Sequence, residues 1–152
     1  MTSTLSSPVT TDLGDARRRN EQTWRESCRL LYSGRIDEFL TFWTPDARYE
    51  VAYPVAGMPA VLEGHDALRA VFGAFGAAAT SIKVENVTFH QTDDPQVAIV
   101  EERMIAALVD GGRYQNQMII RVTFRDGLIA EMFEYYGQRA HEELLSRLGF
   151  GG

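Results

Sequence analysis

A chain of 152 residues with 45% hydrophobic and 24% charged residues is long enough for one domain with a substantial core, and its composition is that of an ordinary globular protein. The formal net charge of −6 argues against a general nucleic-acid binder, because neutralising phosphates requires clustered lysine and arginine. The single cysteine, Cys28, excludes an intramolecular disulfide and a cysteine-based metal cluster.

The first 14 residues, MTSTLSSPVTTDLG, are predicted to be a flexible polar leader. They contain no basic segment followed by an apolar core, so they are not typical of a signal peptide. No apolar run in the sequence approaches the roughly 20 residues that a membrane-spanning helix needs. We therefore expect a cytoplasmic protein without a membrane partner. Residues 15–150 are expected to form a single domain, because no repeat or linker interrupts them.

Hydrophobic periodicity predicts helices at 15–33, 35–43 and about 65–78, with a strand at 47–53 and a short extended segment at 61–63. Strands are predicted at 81–90, 96–109, 113–124 and 128–137, followed by a helix at 139–148. Helices followed by a meander of long strands indicate the α+β class. We expect a strongly curved, mostly antiparallel sheet wrapped around the three N-terminal helices, with a pocket between them. The third helix is rich in Ala and Gly, which either leaves room for a ligand or allows close packing on the sheet.

The turn at 125–127 determines which side chains of the last two strands face the core. A three-residue loop places Met118 opposite Glu134 and Arg121 opposite Glu131, whereas a two-residue loop places Ile119 opposite Glu134. A slip of one residue exchanges the two faces. Only the three-residue loop separates charged from apolar side chains, so it is the predicted register, with Glu134 facing inward.

An inward Glu134 is the first catalytic candidate. Burial without a cation raises the pKa of a carboxyl group, and such a group can exchange protons near neutral pH and act in acid–base catalysis. The structural alternative is a hydrogen-bonded pair with Tyr114 or with an arginine. Glu102 is the reserve acid, because it shares a face with Val100 and Met104.

His65 and Tyr114 are candidates for contacting a carbonyl group. His65 lies at a predicted helix start, where the positive end of the helix dipole disfavours imidazolium, although a histidine there is often only a capping residue. Tyr114 follows a Gly-Gly turn and faces inward, where it could polarise a carbonyl or simply line the sheet. The other candidates for contacts with the substrate are Asn116 on the inward face and five large wall residues: Trp43, Tyr53, Met118, Met132 and Tyr136.

Several other kinds of site are not predicted. The three histidines lack metal-ligand spacing, and we expect His90 and His141 to be exposed. The sequence contains neither a phosphate-binding glycine loop nor a GxSxG nucleophile motif. We therefore predict no metal ion and no cofactor.

Four segments, RIDEFLTFW, TPDARYEV, EGHDALR and FRDGLIAEMFEYY, resemble the nuclear-transport-factor-2-like superfamily, in particular its SnoaL-like and ketosteroid-isomerase-like branch. The resemblance covers about residues 15–150. It implies an α+β cone with a deep apolar pocket, and a homodimer formed through the outer face of the sheet.

Within this superfamily, ARRRNEQTW, EGHDALR, TDDP, RYQN, RDGLI and FEYY are most similar to the phenazine-biosynthesis A/B proteins. This similarity implies that their acid–base glutamate corresponds to Glu134, their pocket histidine to His65 and their pocket tyrosine to Tyr114. No position in this chain is assigned to the arginine with which those proteins bind a substrate carboxylate, or to the aspartate typical of SnoaL-type polyketide cyclases.

Two functions from different classes remain at this point. The first is a cofactor-free enzyme of secondary metabolism, such as antibiotic biosynthesis, which enolises a small, hydrophobic ketone-bearing intermediate and promotes its cyclisation, condensation, dehydration or isomerisation. The second is a non-catalytic binding or dimerisation module, whose pairing surface would contain Ile119, Ile129, Phe133 and Tyr135. Epoxide hydrolysis, known in the same superfamily, would require an Asp-Arg-Asp-like array that the sequence does not show.

Overall fold

The computed structural model describes residues 8–149, with side chains described from residue 12 onward. Four helices are present in this part of the chain: α1 (Pro8–Tyr32), α2 (Ile36–Leu40), α3 (Gly64–Ala78) and α4 (Gln138–Arg147). The strands are β1 (Trp43–Val51), β2 (Val61–Glu63), β3 (Ala79–Gln91), β4 (Val97–Leu108), β5 (Arg113–Arg125) and β6 (Leu128–Tyr136). None of the described helices is long and apolar enough to cross a membrane.

The six strands form one sheet in the order β2-β1-β6-β5-β4-β3. Strand β1 pairs with β6 in parallel, and every other pair of neighbours is antiparallel. The register shifts within three of these pairs, including the long β3–β4 pair near Asn86, which has a φ of 55°. Such irregularities bend strands and increase their twist. The predicted α+β class with a mostly antiparallel sheet is confirmed.

The main core lies between the helices and the inward face of the sheet. On β5 every second residue from Tyr114 to Phe124 is buried, as the two-residue period of a strand with one covered face requires. The core draws on α1 to α3 and on the sheet; its most buried members include Leu40, Leu68, Val100, Val122 and Ile129. A smaller cluster under α4 contains Ala106, Leu108, Tyr114 and Leu144.

The β5–β6 turn differs from the predicted one. Arg125 pairs directly with Leu128, so the loop has two residues. Asp126 and Gly127 have φ values of 53° and 78°, the left-handed pair that a type I′ turn needs. The predicted three-residue loop is therefore wrong.

A β-bulge next to this turn restores the predicted faces. Phe124 pairs with Ile129 but Thr123 pairs with Glu131, which leaves Ala130 as the extra residue. Beyond the bulge, Glu134 lies opposite Ile120 and not opposite Met118. One extra residue moves all later side chains of β6 to the other face of the sheet. A two-residue loop followed by the bulge therefore turns the same side chains of β6 inward as a three-residue loop without a bulge. Glu134 therefore faces inward.

The bounds of α1, α2 and β1 differ most from those predicted. Helix α1 begins at Pro8 and not at Asp15, so residues 8–14 are helical, and proline is well suited to the first turn of a helix. The other half of the predicted leader, residues 1–7, lies outside the described residues. Helix α2 ends at Leu40, and Trp43 already belongs to β1. Pro45 therefore lies in a strand, where the register with β6 is irregular.

Candidate active site

A cavity of about 450 Å³ opens between α3, α4, the end of α1, the loop after β1 and the inward face of the sheet. Ala70 and Ala74 of α3 line it. A Cβ atom added at Gly73 or Gly76 would meet nothing within 4 Å outside the backbone of the helix itself. Neither glycine lines the cavity, so among the small residues of α3 it is Ala70 and Ala74 that leave room for a ligand.

Glu134 lines this cavity and is 8% exposed. The phenol of Tyr49 donates a hydrogen bond of 2.6 Å to its Oε2. Tyr49 is within reach because β1 runs parallel to β6, with Val51 paired to Glu134. The partner is thus Tyr49, whereas the sequence suggested Tyr114 or an arginine. Among the described side chains, no lysine, arginine or histidine forms an ion pair with Glu134.

The environment of Glu134 changes its proton affinity. Burial raises its pKa to about 7, an effect that the Tyr49 hydrogen bond reduces and the nearby Glu102 carboxylate increases. A carboxyl group with this pKa is present in both protonation states near neutral pH. It can therefore accept a proton from a ligand and return it.

Glu102 is a second carboxyl group inside the protein. It is 1% exposed and accepts a hydrogen bond of 3.1 Å from the phenol of Tyr32. Burial raises its pKa, while the Tyr32 hydrogen bond acts in the opposite direction. Glu102 does not line the main cavity, but Glu102 and Glu134 both line a side cavity of about 50 Å³. Trp43 and Met132, expected as walls of the main pocket, line this smaller space.

Tyr114 lines the main cavity, and Asn116 holds its hydroxyl group in place. Asn116 Nδ2 donates to Tyr114 Oη over 2.7 Å and to the carbonyl of Gly137 over 3.1 Å. Asn116 Oδ1 accepts a 2.6 Å hydrogen bond from the Gly137 amide. Asn116 therefore fixes the end of β6 and does not line the cavity, contrary to its expected contact with substrate. The Tyr114 hydroxyl accepts the Asn116 bond, so its own hydrogen can be donated to a ligand.

His65 is not among the described residues that line either cavity. Its Nε2 lies 3.2 Å from the carbonyl oxygen of Trp43 and 3.1 Å from that of Thr44. Because both partners are acceptors, this nitrogen carries a hydrogen. The side chain therefore ties the start of α3 to β1, a structural role in place of the expected contact with substrate.

Of the remaining expected wall residues, Met118 and Tyr136 line the main cavity. Tyr53 does not, because β1 ends at Val51 and the chain turns away; its side chain is 57% exposed and lies 6.2 Å from Tyr135 between ring centroids.

Three polar residues of the site were not identified from the sequence as site residues or partners: Tyr32, Tyr49 and His141. All three line the main cavity. His141, predicted to be exposed, is half-buried and lies 4.4 Å from Tyr136 between ring centroids. Burial lowers the pKa of His141 to about 4, so the imidazole is neutral at pH 7.

Helical spacing in the sequence could have indicated that some of these side chains face the interior. Tyr32 follows Cys28 by four residues on α1, and His141 precedes the buried Leu144 and Leu145 by three and four residues on α4. Residues at these spacings share a helix face. Strand alternation likewise placed Tyr49 on the face of Val51. Within the described residues, no group of three His, Cys, Asp or Glu side chains could hold a metal ion.

Residues 24–132 match the family model of the SnoaL-like domain. The chain belongs to this family. The predicted SnoaL-like assignment is thereby confirmed, and solved structures of the NTF2-like fold resemble this SnoaL-like chain. No curated protein matches it.

Three similar structures illustrate the fold. A Bacillus subtilis protein with a proposed isomerase activity has a TM-score of 0.78 at 18% identity, over 86% of this chain and 95% of that one. A phenazine biosynthesis-related protein from Pseudomonas aeruginosa has a TM-score of 0.72 at 19% identity, over 94% and 93% of the two chains. The epoxide hydrolase/cyclase-like enzyme SalBIII, which acts in pyran ring formation in the polyether salinomycin, has a TM-score of 0.69 at 20% identity, over 81% and 94%. At such identities the similarity establishes the fold alone.

Proposed function

We propose that this SnoaL-like protein is a cofactor-free acid–base enzyme of secondary metabolism that acts on a small, hydrophobic ketone-bearing intermediate. The observation that carries the proposal is the position of Glu134: a buried carboxyl group in the cavity wall whose pKa is raised to about 7. The similar proteins from phenazine biosynthesis and from polyether ring formation support the pathway class. The reaction would be a cyclisation, condensation, dehydration or isomerisation through an enol or enolate.

In the proposed mechanism the Glu134 carboxylate removes a proton from the carbon next to the ketone and later returns it to the product. The Tyr49 hydroxyl remains hydrogen-bonded to this carboxylate and keeps it in position. Burial raises the pKa of Tyr114 and Tyr136, so both phenols stay protonated. A donated hydrogen bond from either phenol would stabilise the charge that develops on the enolate oxygen. Glu102 is the reserve acid on the side cavity.

Hydrogen–deuterium exchange tests this proposal directly. Aryl ketones that bind the protein are incubated with it in D₂O, and exchange next to the carbonyl is followed by NMR. Glu134→Gln should retain binding and reduce the protein-catalysed exchange about 10²-fold or more. Glu131→Gln is the matched control. Glu131 lies on the same strand, opposite Thr123, and its side chain forms an ion pair with Arg121 on the outer face. If Glu134→Gln exchanged deuterium at the wild-type rate, Glu134 would not be the residue that transfers the proton, and Glu102 would be the next candidate.

The alternative is a non-catalytic binding or dimerisation module of the same fold. The observation that favours it is an aromatic and aliphatic patch on the outer face of the sheet, where Ile119 and Tyr135 are paired and 44% and 40% exposed. Phe133 packs beside Tyr135 in this patch. Ile129, expected in the same surface, is 0% exposed and belongs to the core, because it precedes the bulge on β6. A homodimer through this patch and a cytoplasmic location stay predictions.

A further inference from the structure

The walls of the two cavities contain acids and neutral donors but no fixed cation. Among the residues described as lining them, none is lysine or arginine. Residues 1–11 and 150–152, whose side chains are not described, contain neither of these residue types in the sequence. A basic side chain for binding an anion is therefore missing from the described walls and from those terminal segments.

His141 does not supply the missing positive charge. Its lowered pKa of about 4 keeps the ring neutral at pH 7. The phenols that line the cavity, including Tyr114 and Tyr136, are neutral hydrogen-bond donors. The ionisable groups that become charged as the pH rises are two carboxyl groups, Glu134 in the main cavity and Glu102 in the side cavity. The ionisable side chains described as lining the two cavities are thus neutral or negative.

We infer that the cavity selects uncharged ketones and rejects carboxylates and other anions. The inference rests on the proposed function only in taking the occupant to be a ketone. An anion entering these walls would lose its hydration without gaining a counter-charge, and Glu134 in its ionised form would repel it. A neutral ketone loses little hydration and can accept a hydrogen bond from a wall phenol. The substrate class therefore differs from the carboxylated substrates of the phenazine-biosynthesis proteins, whose substrate-binding arginine has no assigned position in this chain.

A carboxylic acid can enter such a cavity only in its protonated form, and this makes its binding depend on pH. With a carboxyl pKa of about 4, roughly one molecule in 3 × 10³ is protonated at pH 7.5. Its apparent Kd should accordingly be far weaker than that of an uncharged analogue. It should also weaken about tenfold for each further pH unit.

The test uses one ketone scaffold in three forms: 2-acetylnaphthalene, methyl 6-acetyl-2-naphthoate and 6-acetyl-2-naphthoic acid. Their Kd values are measured by calorimetry between pH 6 and 8.5. We expect the ketone and the ester to bind, and the acid to bind at least about 100-fold more weakly than the ester at pH 7.5. Acid binding less than tenfold weaker than ester binding would overturn the inference. Failure of all three compounds to bind would overturn it too, because a cavity that accepts uncharged ketones should hold at least one.

Adding a cation at the mouth of the cavity provides a gain-of-function test. Met58 lines the cavity from the loop after β1, and Met58→Arg should raise the ratio of acid affinity to ester affinity at least tenfold relative to Met58→Gln. No gain in acid binding would contradict the inference.

The Glu134→Gln variant separates this inference from the proposed function. It should lose deuterium exchange but still prefer the ester, because the cavity still lacks a cation. Retained exchange with retained preference would refute only the function. Absence of the preference in both the wild type and Glu134→Gln would refute only the substrate class.

Discussion

Replacing Glu134 by glutamine should make the folded protein more stable at alkaline pH and leave it almost unchanged at acidic pH. The side chain is 8% exposed and its pKa is raised from the ordinary value of 4.5 to about 7, chiefly by burial. Between these two pH values the folded protein keeps the proton while the unfolded chain releases it. The native state then binds more protons than the unfolded state, so the free energy of unfolding falls as the pH rises through this window.

The size of the effect follows from the two pKa values. A difference of about 2.5 pKa units, at about 1.4 kcal/mol each, corresponds to about 3.5 kcal/mol. Below pH 4.5 both states are protonated and the contribution is absent; above pH 7 the loss is complete. Glutamine does not ionise, and its amide oxygen can still accept the Tyr49 hydrogen bond. The variant should therefore gain up to about 3.5 kcal/mol over the wild type at pH 8.

Urea denaturation at pH 4, 5.5, 7 and 8, with linear extrapolation to water, measures this difference. His141 has a lowered pKa and contributes with the opposite sign, since its stabilisation is lost as the pH falls from 6.5 to about 4. His141 is present in both proteins, so its effect cancels in the comparison. Glu131→Gln, on the outer face, should show no such growth with pH. A difference between wild type and Glu134→Gln that is independent of pH, or a variant that is less stable at pH 8, would refute the argument.

Three further predictions concern other parts of the molecule. Tyr49→Phe removes the hydrogen bond that lowers the pKa of Glu134; the midpoint of the exchange rate against pH should move upward, and an unchanged midpoint would count against this pairing. Gly73→Ala should stabilise the protein by about 0.5–1 kcal/mol, because the added methyl meets open space within a helix. Gly127→Ala should destabilise it by about 1–2 kcal/mol, because of the φ of 78°; urea denaturation compares the two, and equal effects would disprove the contrast. Tyr135→Lys should convert the predicted dimer to a monomer in analytical ultracentrifugation, and an unchanged mass would place any interface elsewhere.

The predicted register shows how a correct face can follow from a wrong pairing. The alternation of apolar residues along β5 and β6 can be recognised in the sequence. It required Glu134 to face inward, because the register that turns Glu134 outward does not separate the charged side chains from the apolar ones. The same parity can arise from a three-residue loop or from a two-residue loop with a bulge. The Arg-Asp-Gly sequence is compatible with both, because Asp-Gly suits a two-residue type I′ turn and its Gly also suits the left-handed position of a three-residue loop. The bulge became apparent only from the backbone pairing of the folded hairpin.

The amino-acid pattern alone was sufficient for the order of the elements, the α+β class and the inward position of Glu134, because periodicity is a local property of each segment. The SnoaL-like resemblance came from short sequence segments. The partners of that carboxyl were decided by tertiary structure. Tyr49 reaches Glu134 because β1 pairs with β6 in parallel across 85 positions of the chain. His65 and Tyr53 lie away from the cavity because of where β1 begins and ends. The absence of a cation from the described walls likewise emerged only when α1, α3, α4 and the sheet came together, since which side chains share a cavity depends on contacts between distant segments.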